Sequence, residues 1–323
     1  MNRFEPNGKL MVRAVVTFHD YLPRFLLVNP CKSAFIRGKI MPELPEVETM
    51  RRGILGIVGS RIVGVERVRC RRRPIAIEPP MARFRRQAVG ARIAGVGRIG
   101  KRVVVELDRA AAIIFEPRMT GLVLLAEPPT REHLRVRLTL EGGLARELLY
   151  WDRRGLGSVR LVSCDELAKR YDEATLGPDA LTIKSEQLAE RLGRSRRAIK
   201  VALLDQRAVA GIGNLYAAEI LHRAGIHPER RCDQLRNDQW DELHAAIVEI
   251  LEMAIRFEGS TLADGTYRNA LNESGSYQNH HRVYDRAGEL CVVCGTGRVE
   301  RIVHAQRATF FCPKCQPKGK RRK

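Results

Sequence analysis

The sequence predicts an α+β protein of several domains: a helix leading into a β-sandwich, then an α-helical domain, then a small cysteine-closed ribbon. Three observations carry this. Short apolar bursts alternate between Arg61 and Val162 with turn signals between them. Apolar residues then recur at helical spacing, and four of the eight cysteines gather near the C-terminus. With 323 residues the chain can build two or three modest cores.

Residues 1–40 carry no secretory signal, because AVVTF is cut short by His19 and Asp20 and no small-residue cleavage site follows. The next stretch, IMPELPEVETMRRG (Ile40 to Gly53), places proline at a helix start and acids in the first turn, which suits a helix N-terminus. The same residues can be read as chemistry. If the chain began at Pro42, its secondary amine could attack an electrophilic carbon. Glu43 would shuttle protons, and Glu46, one turn along, would hold the amine or the helix end in place.

The bursts RIVGVERV, ARIAGVGRIGKRVVVELD, AAAIIFE, GLVLLAE, LRVRLTL and GSVRLV, with turns at GVGRIG and LEGG, predict an antiparallel sandwich or barrel. ATLGPDALTIKSEQ is polar, contains a Pro-Asp turn and reads as a linker. Helical periodicity follows in SEQLAERLGR, RRAIKVALLDQ, NLYAAEILHRAG and DQWDELHAAIVEILEMAIRFEG. Ser260 to Gly288 is rich in Gly, Asn and polar residues and reads as a long, functional loop. The final PKGKRRK reads as a basic tail and is expected to be disordered.

Lys and Arg number 57 against 37 acids, a net charge of +20. A surplus of that size points first to a polyanion, most often nucleic acid, with an anionic membrane surface as the other partner it could serve. No run approaches the ~20 apolar residues of a spanning helix; AAAIIF (Ala110 to Phe115) is typical of the longest. These features place the protein in the cytoplasm.

Cys31, Cys70, Cys164 and Cys232 are scattered and read as free thiols. Cys291, Cys294, Cys312 and Cys315 form two C-x2-C knuckles separated by seventeen residues, a spacing that closes a tetrahedral site around one structural Zn²⁺. Two disulfides are the competing reading. HAQRATFF (His304 to Phe311) falls at the hairpin tip or second strand of such a ribbon and carries Arg307 toward a phosphate.

Taken together, PELPEVE, GRIGKR, AIKVALLDQRAVAGIGNLYAAEILHRAGIHPER and the ribbon with HAQRATFFC resemble the formamidopyrimidine-DNA glycosylase family, from about Pro42 to Gln316. The resemblance implies a β-sandwich, a helix–two-turns–helix domain and a C-terminal zinc finger. It implies the following division: 1–41, a non-native extension with the initiator Met; 42–171, the catalytic sandwich; 172–190, a linker; 191–288, the helix–two-turns–helix domain with a lesion-capping loop; 289–316, the finger; 317–323, a basic tail. It further implies a monomeric bacterial repair enzyme at the nucleoid, acting on damaged double-stranded DNA. Oxidised purines would be excised through a Schiff base on Pro42, with Glu43 moving protons and strand nicking by β,δ-elimination.

Met119 and Arg154 match residues that wedge into the space left by the extruded base, and Leu156 stands where the family has Phe. Lys101, Asn214 and Arg307 match phosphate contacts, and Lys200 matches a further basic position that reads equally as a solvated helix lysine. Asn272 to Tyr277 falls where the family closes over the extruded base. Two departures stand out: Glu116 occupies the position of a phosphate-contacting His, and DRRGLG replaces DPRRFG. The alternatives are an endonuclease VIII-type enzyme for oxidised pyrimidines, which Leu44 disfavours, and a damage-binding protein that has lost catalysis. Because an internal Pro42 nitrogen is a non-nucleophilic amide, residues 1–40 are expected to be a start-site artefact, or else a real extension that is cleaved or inactivating.

Overall fold

The computed structural model describes residues 41–262 and 265–318; the expected N-terminal extension, Cys31 and all but the first two residues of the basic tail lie outside the described residues. In chain order the elements are α1 (Leu44–Gly53), β1 (Arg61–Arg67), β2 (Ala76–Glu78), α2 (Met81–Ala88), β3 (Ile93–Ile99) and β4 (Arg102–Leu107). Then come β5 (Ala111–Glu116), β6 (Gly121–Leu124), β7 (Leu134–Glu141), β8 (Glu147–Asp152), β9 (Ser158–Ser163) and α3 (Cys164–Arg170). The remainder is α4 (Ser185–Leu192), α5 (Ile199–Leu203), α6 (Asn214–Arg223), α7 (Asn237–Arg256), β10 (Glu300–His304) and β11 (Arg307–Phe311).

Nine strands form two layers, a four-stranded sheet ordered β1-β7-β8-β6 and a five-stranded sheet ordered β2-β9-β5-β4-β3. Their inner faces share one core, built from Ile62, Val136 and Leu148 on one side and Val103, Ile113 and Phe115 on the other. This is a sandwich rather than a barrel. Pairing is antiparallel except between β2 and β9, which run parallel. β6 is buried along its whole length, so it reads as a solid apolar run rather than an alternation. The helical part has its own core around Leu203, Tyr216, Leu243 and Ile247.

Helix α1 belongs to both cores. Leu44 packs in the helical core while Val47 and Met50, one and two turns along, pack in the sandwich. Arg98 fastens the junction: its guanidinium reaches Glu48 of α1 at 3.1 Å and both oxygens of Asp179 at 2.6 and 3.0 Å. The stretch expected as a linker is therefore folded. Ala180, Ile183 and Leu188 sit in the helical core, and α4 begins at Ser185, inside that stretch.

The described residues between Gly259 and Arg286 are held largely by carboxylates of other elements. The buried Glu219 carboxylate of α6 accepts from the backbone amides of Arg282, Val283 and Tyr284 at 2.8, 3.0 and 2.7 Å. β10 and β11 form the ribbon hairpin with Arg307 at its tip, opposite His304.

Candidate nucleic-acid site around Pro42

Glu43, the residue before α1, lies against the N-terminus of α6. Its carboxylate accepts from the amides of Leu215 at 3.0 Å and Tyr216 at 3.4 Å, donors that a helix leaves unpaired. The approach depends on Gly213. A Cβ there would sit 2.2 Å from the Glu43 carboxyl carbon, a separation no side chain can occupy. Gly211 has φ +108° and faces Leu44 equally closely, so GIG is a backbone requirement rather than a flexible hinge. Gly213→Ala is expected to push the Glu43 carboxylate off the Leu215 and Tyr216 amides and to lower the unfolding free energy by about 2 kcal/mol or more. Urea melts of both proteins check it.

Burial pushes the Glu43 carboxyl up, opposed by the nearby charge of Lys101, to about 7. A carboxyl raised on folding contributes stability that is complete below its unfolded value near 4.5 and is lost as pH rises through about 7. Glu43→Gln cannot titrate. Its unfolding free energy is expected to gain on the parent by about 3 kcal/mol between pH 5 and pH 8, at about 1.4 kcal/mol per tenfold. Urea melts at each pH measure the difference; a constant gap would refute it.

Glu46 is fully buried beneath Glu43. One oxygen accepts from the Glu43 amide at 3.0 Å, and the other from the Tyr216 hydroxyl at 2.6 Å and the Ser260 amide at 2.9 Å. Burial raises its pKa, while these donors pull it back. Pro42, Met119, Thr120, Leu122, Ser260 and Tyr267 line one pocket beside this carboxylate pair.

Basic residues far apart in sequence converge here. The Lys101 ammonium, in the β3–β4 turn, donates to the Ile212 carbonyl at 2.9 Å and faces Glu43 and Glu46; burial lowers its pKa. Lys200 is not a solvated helix lysine. It is 1% exposed and donates to Asn214 Oδ1 at 2.9 Å, the Ala308 carbonyl at 3.1 Å and Thr309 Oγ1 at 2.6 Å. Burial, reinforced by the like charge of Arg307 and opposed by Glu43, brings it down to about 7. Asn214, the first residue of α6, donates to the same Ala308 carbonyl at 3.1 Å. The ribbon tip, α5 and α6 thus meet at one cationic edge beside Glu43.

Asp152, fully buried at the end of β8, joins two loops. It accepts from the Thr120 hydroxyl in one and from the amides of Arg154 and Gly157 in the other, at 3.1 and 2.8 Å for the amides. The Arg154 guanidinium meets the Met119 sulfur at 3.0 Å, and Leu156 sits half-buried in the same loop. Glu116 is not an exposed negative charge. Arg102 and Arg160 bind it at 3.0 and 3.2 Å, and Arg118 lies 3.8 Å away. Burial raises its pKa, but these guanidiniums outweigh burial and hold it below the carboxylate norm. The rim at that point is net positive.

The four clustered cysteines fit zinc. Their sulfurs all lie within 4.8 Å of one another, with Cys291–Cys315 at 3.7 Å and Cys294–Cys312 at 3.8 Å. A tetrahedron of thiolates at ~2.3 Å from zinc has edges of about 3.8 Å. One structural zinc closes this ribbon, which Gln316 fastens to the helical part through the Ile226 carbonyl at 2.8 Å.

Fold and site define a three-part DNA-binding protein: a sandwich, a helical module and a zinc ribbon, with the Glu43–Glu46 carboxylate pair and a cationic edge where they meet. Three family models match it in succession: the formamidopyrimidine-DNA glycosylase N-terminal domain over residues 41–159, the formamidopyrimidine-DNA glycosylase H2TH domain over 176–265, and a zinc finger found in FPG and IleRS over 288–318. The formamidopyrimidine-DNA glycosylase of Chloroflexus aggregans is 42% identical over 279 residues, 85% of this chain and 98% of the relative. That of Bacillus subtilis is 39% identical over 284 residues, 86% of this chain and 100% of its own. Among solved structures, Lactococcus lactis Fpg bound to DNA containing an abasic site superposes with a TM-score of 0.75 at 33% identity, covering 85% of this chain and all of that one. Its wild-type complex with N7-benzyl-Fapy-dG DNA gives 0.76 at 35% identity, covering 86% and 100%. The chain belongs to the formamidopyrimidine-DNA glycosylase family.

Proposed function

We propose that this protein is a bifunctional DNA glycosylase and AP lyase of base-excision repair, acting on oxidised purines such as 8-oxoguanine and formamidopyrimidines. The observation that carries the reading is the buried carboxylate pair Glu43 and Glu46 at the start of α1, bonded to the N-terminus of α6 and set within the field of Lys101, Lys200 and Arg307, directly after Pro42. The Pro42 amine attacks C1′ of the damaged nucleotide, the base departs with the bonding pair, and a Schiff base to the opened sugar remains. Glu43 delivers and removes the protons of ring opening and elimination. Successive β and δ eliminations then release the 3′ and 5′ phosphates.

C1′ is out of reach in a stacked duplex, so the nucleotide leaves the helix first. Met119, Arg154 and Leu156 fill the vacated space, and the shared Met119–Arg154 contact lets them enter together. Lys101, Asn214 and Arg307 hold the phosphates of the bent strand. Lys200, expected from the sequence as a further phosphate contact, instead spends its three donors on Asn214, Ala308 and Thr309 and so holds the ribbon against α6 behind them. The segment from Asn272 to Tyr277 closes over the extruded base. The working chain begins at Pro42, in keeping with a family match that starts at Met41. It acts as a monomer on chromosomal DNA in the bacterial cytoplasm, independent of membrane, and its +20 charge suits that polyanion.

The test is a borohydride trap with duplexes holding 8-oxoguanine opposite C or an oxidised pyrimidine. Faster trapping on 8-oxoguanine is expected. Preference for the pyrimidine would make the chain an endonuclease VIII-type enzyme, and tight binding without trapping would make it a damage-binding protein.

A further inference from the structure

His281 stands apart from the residues assigned above, yet it touches their support. Its imidazole is 7% exposed, flanked edge-on by the rings of Tyr277 and Tyr284 with centroids 5.5 and 5.7 Å away. Its Nε2 lies 3.0 Å from Ser260 Oγ. Ser260 is fully buried, and its backbone amide is one of the two donors on Glu46 Oε1, at 2.9 Å. The Tyr216 hydroxyl is the second, and the other Glu46 oxygen receives the amide of Glu43. Ser260 also lines the pocket that Pro42 enters.

A polar ring enclosed by two tyrosines is an expensive way to fill space, since an apolar side chain would bury there at no desolvation cost. Burial, with the charges of Arg286 and His280, lowers the His281 pKa to about 4, so at neutral pH the ring is uncharged with one donor and one acceptor nitrogen. Its hydrogen bond fixes the rotamer of Ser260. Fixing Ser260 fixes the amide that holds Glu46, and Glu46 in turn holds the peptide joining Glu43 to Pro42. Gly259 makes this approach possible: at φ +77°, a Cβ there would meet Glu46 Oε1 at 2.8 Å. His280, the preceding residue, stacks on Phe257 at 3.9 Å and pins the segment from its other side.

We propose that His281 is a positioning residue for the covalent step, acting through Ser260 on Glu46 and so on the Pro42–Glu43 end of α1. The proposal rests on the glycosylase/lyase reading given above. The chain starting at Pro42 is compared with its His281→Leu, Ser260→Ala and double variants on a duplex holding 8-oxoguanine opposite C, with melting curves of each. Each single change is expected to lower kcat and the trapping rate by about 10- to 100-fold with KM within about twofold, and His281→Gln to recover part of the loss. The double variant should be no slower than the slower single one, because both act through one contact. Three results overturn the inference while the parent still traps DNA: kcat within about twofold of the parent, losses that multiply in the double variant, or kcat falling only together with Tm and DNA affinity. A parent that fails to trap removes the reaction itself and overturns both readings.

Discussion

A chain beginning at Pro42 is expected to form a borohydride-stable covalent complex with lesion-bearing duplex, and the same chain with residues 1–41 attached to form none. In the longer chain the Pro42 nitrogen is part of a planar amide whose lone pair is delocalised over the preceding carbonyl. No arrangement of Glu43, Glu46 or Lys101 restores a nucleophile there. Loss of the attacking group should lower turnover by about 10³-fold or more, as in enzymes whose covalent unit is removed. DNA affinity is expected to survive, since the cationic edge of Lys101, Lys200, Asn214 and Arg307 does not involve that nitrogen. Intact mass of both proteins must accompany the assay. Equal trapping by a chain proven to retain residues 1–41 would refute the role of Pro42.

Removing zinc, by chelator or by Cys312→Ser, is expected to abolish tight DNA binding. The metal supplies about 10–16 kcal/mol of apparent binding energy in small fingers of this kind, far beyond what so few core residues provide. Here the ribbon's buried apolar residues, Val299, Phe310 and Phe311, face the helical part rather than a core of their own. When the ribbon opens, Lys200 loses the Ala308 carbonyl and the Thr309 hydroxyl, and Arg307 leaves the edge altogether. Two charged contacts at about 1.5 kcal/mol or more each give a loss of about 100-fold or greater. Fluorescence anisotropy with a lesion duplex, beside metal analysis showing one zinc per chain, checks this. Undiminished affinity in the zinc-free protein would sink the assignment.

The cysteine quartet and the strands were legible because their signals are local. Two C-x2-C knuckles encode a site by spacing alone, and period-two bursts encode a sheet face. Helix α2 was not legible: MARFRRQA buries only Phe84 and Ala88, too few to show a stripe. Residues 172–190 read as a linker because a Pro-Asp turn precedes their few apolar residues, whereas Ala180 and Ile183 are fixed by a core assembled from distant helices. Within the site, Pro42 and Glu43 alone read as ordinary helix-start grammar, and only their company with GRIGKR, the GIGNLY stretch and the ribbon marks them as chemistry. The burial of Lys200 could not, since its partners at Ala308 and Thr309 lie more than a hundred residues on. Ser260 and His281 were hidden in a polar stretch whose order comes from Glu219 and Glu46 on other elements. Glu116 read as repulsive because the sequence does not show the guanidiniums that gather on it.

The loop with Met119 and the loop with Arg154 and Leu156 share Asp152 as their common anchor. Such sharing limits how this surface can diverge. A substitution that shifts one loop strains the other through the same carboxylate, so the two loops behave as one mechanical unit hinged on Asp152.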